Sequence, residues 1–326
     1  MKWLLLAAWS ATMLAHADEG SLPIPPDRDL RGVYRAALCT RPDMPADECA
    51  RTLRDVDGVA ATNPPPRAIA SRYRLLFVPG FMASCFPGIH SFADVVEAAR
   101  NQGFAADVLA VGGRNGIAGN AKLIAQQIER LPDDGRRIVL IGHSKGADDA
   151  LEALVTRPDV AARVVAVLSV AGAVNGSPHA DDLRGAYRLT LAEFPFSACA
   201  LGEGDPVRDL MPLTRRTWWA GAGATLRTPV FSLVALPDLD RLSPSLLLPY
   251  LSLARFSRDN DGMLLARNEL APNGYLLGFV NADHLAVAIP YPGNQFVFVF
   301  NATPFARPQV FLAAIDVIAQ RADTTP

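Results

Sequence analysis

Five residues near the middle of the chain, Gly142-His143-Ser144-Lys145-Gly146, set a serine between two glycines at G-x-S-x-G spacing. An apolar run, Ile138-Val139-Leu140-Ile141, precedes them, and apolar residues at helical spacing follow. A serine at a sharp strand-to-helix turn is held in strained backbone geometry, and the flanking glycines keep side chains out of the corner. The hydroxyl projects outward, and the adjoining peptide sits at a helix N-terminus, where unpaired N–H groups and the dipole favour developing negative charge. Ser144 in this context is a candidate nucleophile for acyl chemistry.

A serine hydroxyl attacks only when a base takes its proton and a third group orients that base. Of the five histidines, His16 lies in a leader-like segment and His143 sits inside the turn, directed away from the hydroxyl. His90 precedes the serine and His179 follows it closely, so neither holds the far-downstream place that a base takes in this order. His284, in Asn281-Ala282-Asp283-His284-Leu285 after the apolar run 275–280, is a downstream loop histidine and the candidate base. The acid is expected between the two. Asp261, in Asn260-Asp261-Gly262-Met263, is favoured because Asp-Gly makes a tight turn that aims the carboxylate; Asp238 and Asp240 are the alternatives. Two N–H donors should face the developing oxyanion, those of Lys145 and of Phe81 in Pro79-Gly80-Phe81-Met82. The Lys145 side chain is expected in solvent, with a Ser-Lys dyad as a lesser alternative.

These residues need elements to hold them. Strand patterns cover residues 74–78, 106–111, 138–141, 164–170, 228–235 and 275–280; helical patterns cover 91–102 (Ser91 as N-cap), 117–131, 145–156 and 308–320. Strands alternating with helices specify an α/β fold with a mostly parallel sheet and helices on both faces. In such sheets ligands sit beyond the carboxyl ends of the strands, where Ser144 falls. Residues 18–71 read as an irregular extension with helical patterns at 30–38 and 46–56, ahead of a catalytic domain over 72–326. Residues 176–227 form a long insertion carrying Tyr187, Phe194, Phe196, Trp218 and Trp219. It reads either as a helical cap over the cleft or as core helices. A second apolar stretch, 246–256, is broken by Pro249, and residues 295–300 read as one more strand.

The chain has 326 residues, is half apolar, and carries a formal charge of −2. Such a balance excludes a disordered chain and a nucleic-acid binder, which needs a basic stripe. Residues 1–17, a positive start and an apolar run ending in Ala15-His16-Ala17, read as a secretory signal peptide cleaved near Ala17. Export to the periplasm or beyond makes disulfides the default for Cys39, Cys49, Cys85 and Cys199. Of three pairings, the most local joins Cys39 to Cys49 and leaves Cys85 with Cys199. No metal-ligand spacing exists, so neither metal nor cofactor is expected.

Val78-Pro79-Gly80-Phe81, Gly142-His143-Ser144-Lys145-Gly146, Asn260-Asp261-Gly262-Met263 and Asp283-His284-Leu285 together resemble the α/β-hydrolases, and within them the secreted bacterial lipases and esterases. The resemblance spans about residues 73–285. It implies an α/β-hydrolase fold and hydrolysis of a small-molecule or lipid ester through an acyl-enzyme, with lipid-interface contact if the cap is mobile. Pro79 replaces the usual histidine before the oxyanion glycine. Ala286 stands where calcium-dependent relatives carry an aspartate, so that site is not expected. The rival readings are an acyltransferase, a polyester or thioester hydrolase on the same serine, and a non-catalytic binding protein of this fold.

Overall fold

A computed structural model of the chain describes residues 24–54, 59–60, 62–86, 88–182, 199–200, 202–290 and 304–324. The leader at 1–17, the aromatic residues Tyr187, Phe194 and Phe196, and the expected strand at 295–300 lie outside the described residues. The strands are β1 (Leu53–Arg54), β2 (Tyr73–Val78), β3 (Ala105–Val108), β4 (Arg137–His143), β5 (Val164–Val170), β6 (Val230–Ala235) and β7 (Tyr275–Val280). Helices α1 to α5 are Arg31–Cys39, Ala46–Thr52, Ala93–Asn101, Ile117–Glu129 and Lys145–Thr156. Helices α6 to α10 are Pro158–Ala161, Pro206–Asp209, Pro212–Ala220, Leu247–Leu253 and Arg307–Thr324.

Among the described residues the sheet has seven strands, in the order β1-β7-β6-β5-β4-β2-β3. Every pairing is parallel except β1 with β7. The central strands run apolar without alternation because both faces are covered. Leu75 and Phe77 of β2 pack with α1, α3 and α10, whereas Leu76 and Val78 pack on the other face with α4 and α5.

Three differences from the sequence reading have physical causes. Helix α3 starts at Ala93, not at Ser91; the buried Phe92, at φ +66°, docks on Phe77 and Phe311 with its N–H on the Ala288 carbonyl, and this docking sets the start. Strand β6 begins at Val230, just after Pro229, which cannot donate to a ladder. The helical pattern read over 46–56 ends at Thr52, because Leu53 and Arg54 pair with β7 as strand β1. Leu30 N–H bonds the Leu276 carbonyl, the buried Tyr34 hydroxyl bonds the Val310 carbonyl, and β1 covers the β7 edge. Two residues of strand are too short to show any periodicity.

Cys39 bonds to Cys49 and Cys85 to Cys199. The second bridge ties the insertion to the loop after β2. Trp218 and Trp219 lie on α8. Their indole N–H groups donate to Glu152 of α5 at 2.6 Å and to the Val174 carbonyl at 2.7 Å, so both pack on the flank of α5. Pro249 falls in the first turn of α9, where a missing N–H breaks nothing. Among the described residues no helix is long and apolar enough to cross a membrane.

Candidate active site

Strand β4 delivers Ser144 to the corner where α5 begins, at φ +53°. The corner tolerates no side chain on its glycines. A Cβ on Gly142 would lie 2.4 Å from the Ala147 Cα, and one on Gly146 would lie 2.3 Å from the Val78 carbonyl oxygen. The strained residue is held from both sides: its N–H donates to the Val170 carbonyl, and its own carbonyl accepts from Ala147 and Ala173.

The loop after β7 brings His284 to Ser144. The serine hydroxyl donates to His284 Nε2 at 2.9 Å, and His284 Nδ1–H donates to Asp261 Oδ2 at 2.5 Å. Asp261, fully buried, also accepts the N–H groups of Met263 (2.8 Å) and Leu264 (2.6 Å), while its carbonyl accepts the His284 N–H. The turn works as its sequence suggests. Asn260 Oδ1 accepts the N–H of Gly262, and Gly262 takes φ +93°. Asp238 and Asp240 do not reach the imidazole. Asp238 binds Arg54 and the Asn281 amide at the surface, and Asp240 is exposed.

Several neighbours that hold this chain of bonds were not legible beforehand. His143 does point away from the hydroxyl, but its Nε2–H donates to the His284 carbonyl at 2.7 Å, fixing the histidine loop to β4. Burial and the nearby His284 lower its pKa to about 3, so the ring is neutral. Asp283 accepts N–H groups from Ser243, Leu285 and Ala286, which pins the same loop from the other side. Burial raises its pKa. Glu269 is also buried, accepting the Ala235 N–H; burial and the charge of Asp261 push its carboxyl well above the usual range. That favours its neutral form. A histidine beside the serine was the one advance hint of such support.

Gly80 brings the loop after β2 against the corner: a Cβ there would lie 3.0 Å from both His143 Nδ1 and Ser144 Cβ. Phe81 follows, packed with Ala180 and Val207 of the insertion, and Met82 takes the left-handed conformation at φ +59°. The Lys145 side chain corrects an expectation. Instead of reaching solvent it is 1% exposed and donates to Asp149, also 1% exposed, at 2.6 Å. Pointing into the protein, its ammonium is committed to a carboxylate one helical turn away, which leaves the Ser-Lys dyad without support.

The arrangement presents a hydroxyl, a general base and an orienting carboxylate in one hydrogen-bonded line. Among the described residues no group of histidine, cysteine or carboxylate side chains could hold a metal ion. The chain is similar in fold and in sequence to a metagenomic carboxyl esterase of known structure. That similarity is 32% in sequence with a TM-score of 0.82, over 94% of this chain and 98% of that one. A mature lipase from Bacillus licheniformis aligns with TM-score 0.53 and 20% identity, over 68% of this chain and 89% of that one. EstA from Clostridium botulinum aligns with TM-score 0.57 and 11% identity, over 92% and 99% respectively, which shows the fold alone. No protein-family model and no curated protein matches the sequence.

Proposed function

The chain belongs to the α/β-hydrolases, among the carboxylesterases and lipases of that type, and on that premise we propose that it cleaves carboxylic esters through an acyl-enzyme formed on Ser144. His284 Nε2 takes the hydroxyl proton as Ser144 Oγ bonds to the ester carbonyl carbon. The carbonyl oxygen becomes an oxyanion facing the N–H groups of Lys145 and Phe81. The intermediate collapses by breaking the bond to the alcohol oxygen, which leaves with the proton held by His284. Water then repeats the sequence on the acyl-serine, releasing the acid. Asp261 keeps the imidazole in the tautomer that accepts at Nε2 and stabilises the imidazolium. The observation that carries this reading is the line of bonds Ser144–His284–Asp261.

The protein is further read as exported. The leader-like start at 1–17 and the two disulfides support an oxidising destination. We read residues 72–326 as the catalytic domain with its insertion at about 176–227, and residues 18–71 as an N-terminal segment packed on it. A fluorophosphonate probe followed by peptide mapping tests the chemistry. The reading expects the label on Ser144, and its loss together with p-nitrophenyl ester hydrolysis in Ser144→Ala. Labelling elsewhere, with Ser144→Ala still active, would overturn it.

A further inference from the structure

Lys145 and Asp149 form a pair sealed beneath the serine corner, and burying such a pair brings little net stability against an apolar pair of the same volume. What the pair touches suggests another use. The second oxygen of Asp149 accepts from the buried Asn120 amide of α4 at 2.8 Å. Asn120 in turn clasps the peptide of Gly112, accepting its N–H at 2.9 Å and donating to its carbonyl at 3.2 Å. The next residue, Gly113, accepts the Met82 N–H at 2.8 Å. Met82 is the left-handed residue directly after Phe81. Gly113 also lies so close to this loop that a Cβ on it would come within 2.6 Å of Ser84 Oγ and 2.9 Å of Cys85 Sγ.

The route therefore begins and ends at the oxyanion site. Lys145 provides one of the two backbone donors proposed above, and the far end of the route holds the strained loop carrying the other. We propose that the Lys145 side chain is a positioning residue, which through Asp149, Asn120 and the 112–113 turn sets the loop that carries the Phe81 N–H at its working distance from the Lys145 N–H. The inference rests on the ester-hydrolase reading of Ser144. Its physical content is that donors stabilise a tetrahedral oxyanion only when both are held within a fraction of an ångström of where the charge develops. An α5 that moves relative to the 80–82 loop spoils that match. The buried bonds couple α5 to α4 and the loop with few rotatable links between.

The test compares Lys145→Met with the double variant Lys145→Met/Asp149→Leu, and with Asn120→Ala. Lys145→Met strands a buried carboxylate and is expected to lower thermal stability; the apolar double variant restores it. If the pair positions the loop, both variants lose about 10- to 100-fold in kcat with KM within about twofold, and both bind a trifluoromethyl ketone, which forms a tetrahedral adduct, correspondingly less tightly. Asn120→Ala loses a similar factor, and combining it with Lys145→Met adds little, because the route is already cut. Recovery of full kcat in the stable double variant would overturn the inference, as would multiplicative losses in the Asn120 combination. Ser144→Ala is run alongside. Activity surviving there would sink the ester-hydrolase reading itself, whereas an inactive Ser144→Ala beside a fully active double variant would remove only the role of Lys145.

Discussion

Two aspartates in the molecule, Asp261 and Asp149, are both sealed from solvent and both hold a nitrogenous partner, yet they are supported in opposite ways. Asp261 is held by its own turn: the N–H groups of the two residues after Gly262 bind one oxygen, and the imidazole binds the other. Asp149 is held by side chains from elsewhere, the ammonium of Lys145 and the amide of Asn120, with no backbone donor among the described residues. Next to it, Asp148 pairs at 2.8 Å with Arg215 of α8, equally buried. Backbone support pre-organises a carboxylate for a partner that changes charge during turnover. Side-chain support ties helices together, and its cost depends on whether the partners stay charged.

Replacing Asp261 sharpens the contrast most. Asp261→Asn keeps the turn but favours the wrong imidazole tautomer, so kcat should fall by about 10⁴-fold with little change in thermal stability. A loss below tenfold in p-nitrophenyl ester hydrolysis would place the orienting role elsewhere. On the other side of the comparison, Arg215→Met should act on stability and hardly on chemistry. It leaves the Asp148 carboxyl without its partner and costs about 1–3 kcal/mol by denaturant unfolding, while Arg215→Met/Asp148→Leu recovers most of that. If the double variant is no more stable than the single one, the ion pair is not the cause.

The smallest effect is in pH. Burial, outweighing the cations beside them, raises Asp148 to about 7 and Asp149 to about 6. Between about pH 4 and pH 7 the folded chain thus retains protons that the unfolded chain has released, and these two groups make stability fall as pH rises. Asp149→Asn removes one of them. Its stability relative to the parent should improve by roughly 2 kcal/mol from pH 4 to pH 8. A difference that is flat, or that moves in favour of the parent, would show that the lysine dominates over burial at this position.

The same contrast explains what could be read in the sequence. Asn260-Asp261-Gly262 writes its geometry in three consecutive residues, and G-x-S-x-G does the same for the serine corner; His284 followed by elimination. The parallel sheet was legible because each buried strand is a continuous apolar run. The network beneath the corner was not, because Lys145, Asn120 and Arg215 are far apart in the chain and each reads alone as an ordinary surface residue. Only the packing of α4 and α8 on α5 makes them partners. The hold of Ser243 on the histidine loop through Asp283 was hidden for the same reason, while β1, at two residues, is too short to show a period.

One measurement addresses the core of the account: rapid quenching of turnover with p-nitrophenyl butyrate, followed by mass spectrometry of the peptide that contains Ser144. A butyryl group is expected on that serine, appearing before steady state and absent from Ser144→Ala. Turnover with no acyl group on that peptide, undiminished in Ser144→Ala, would contradict it.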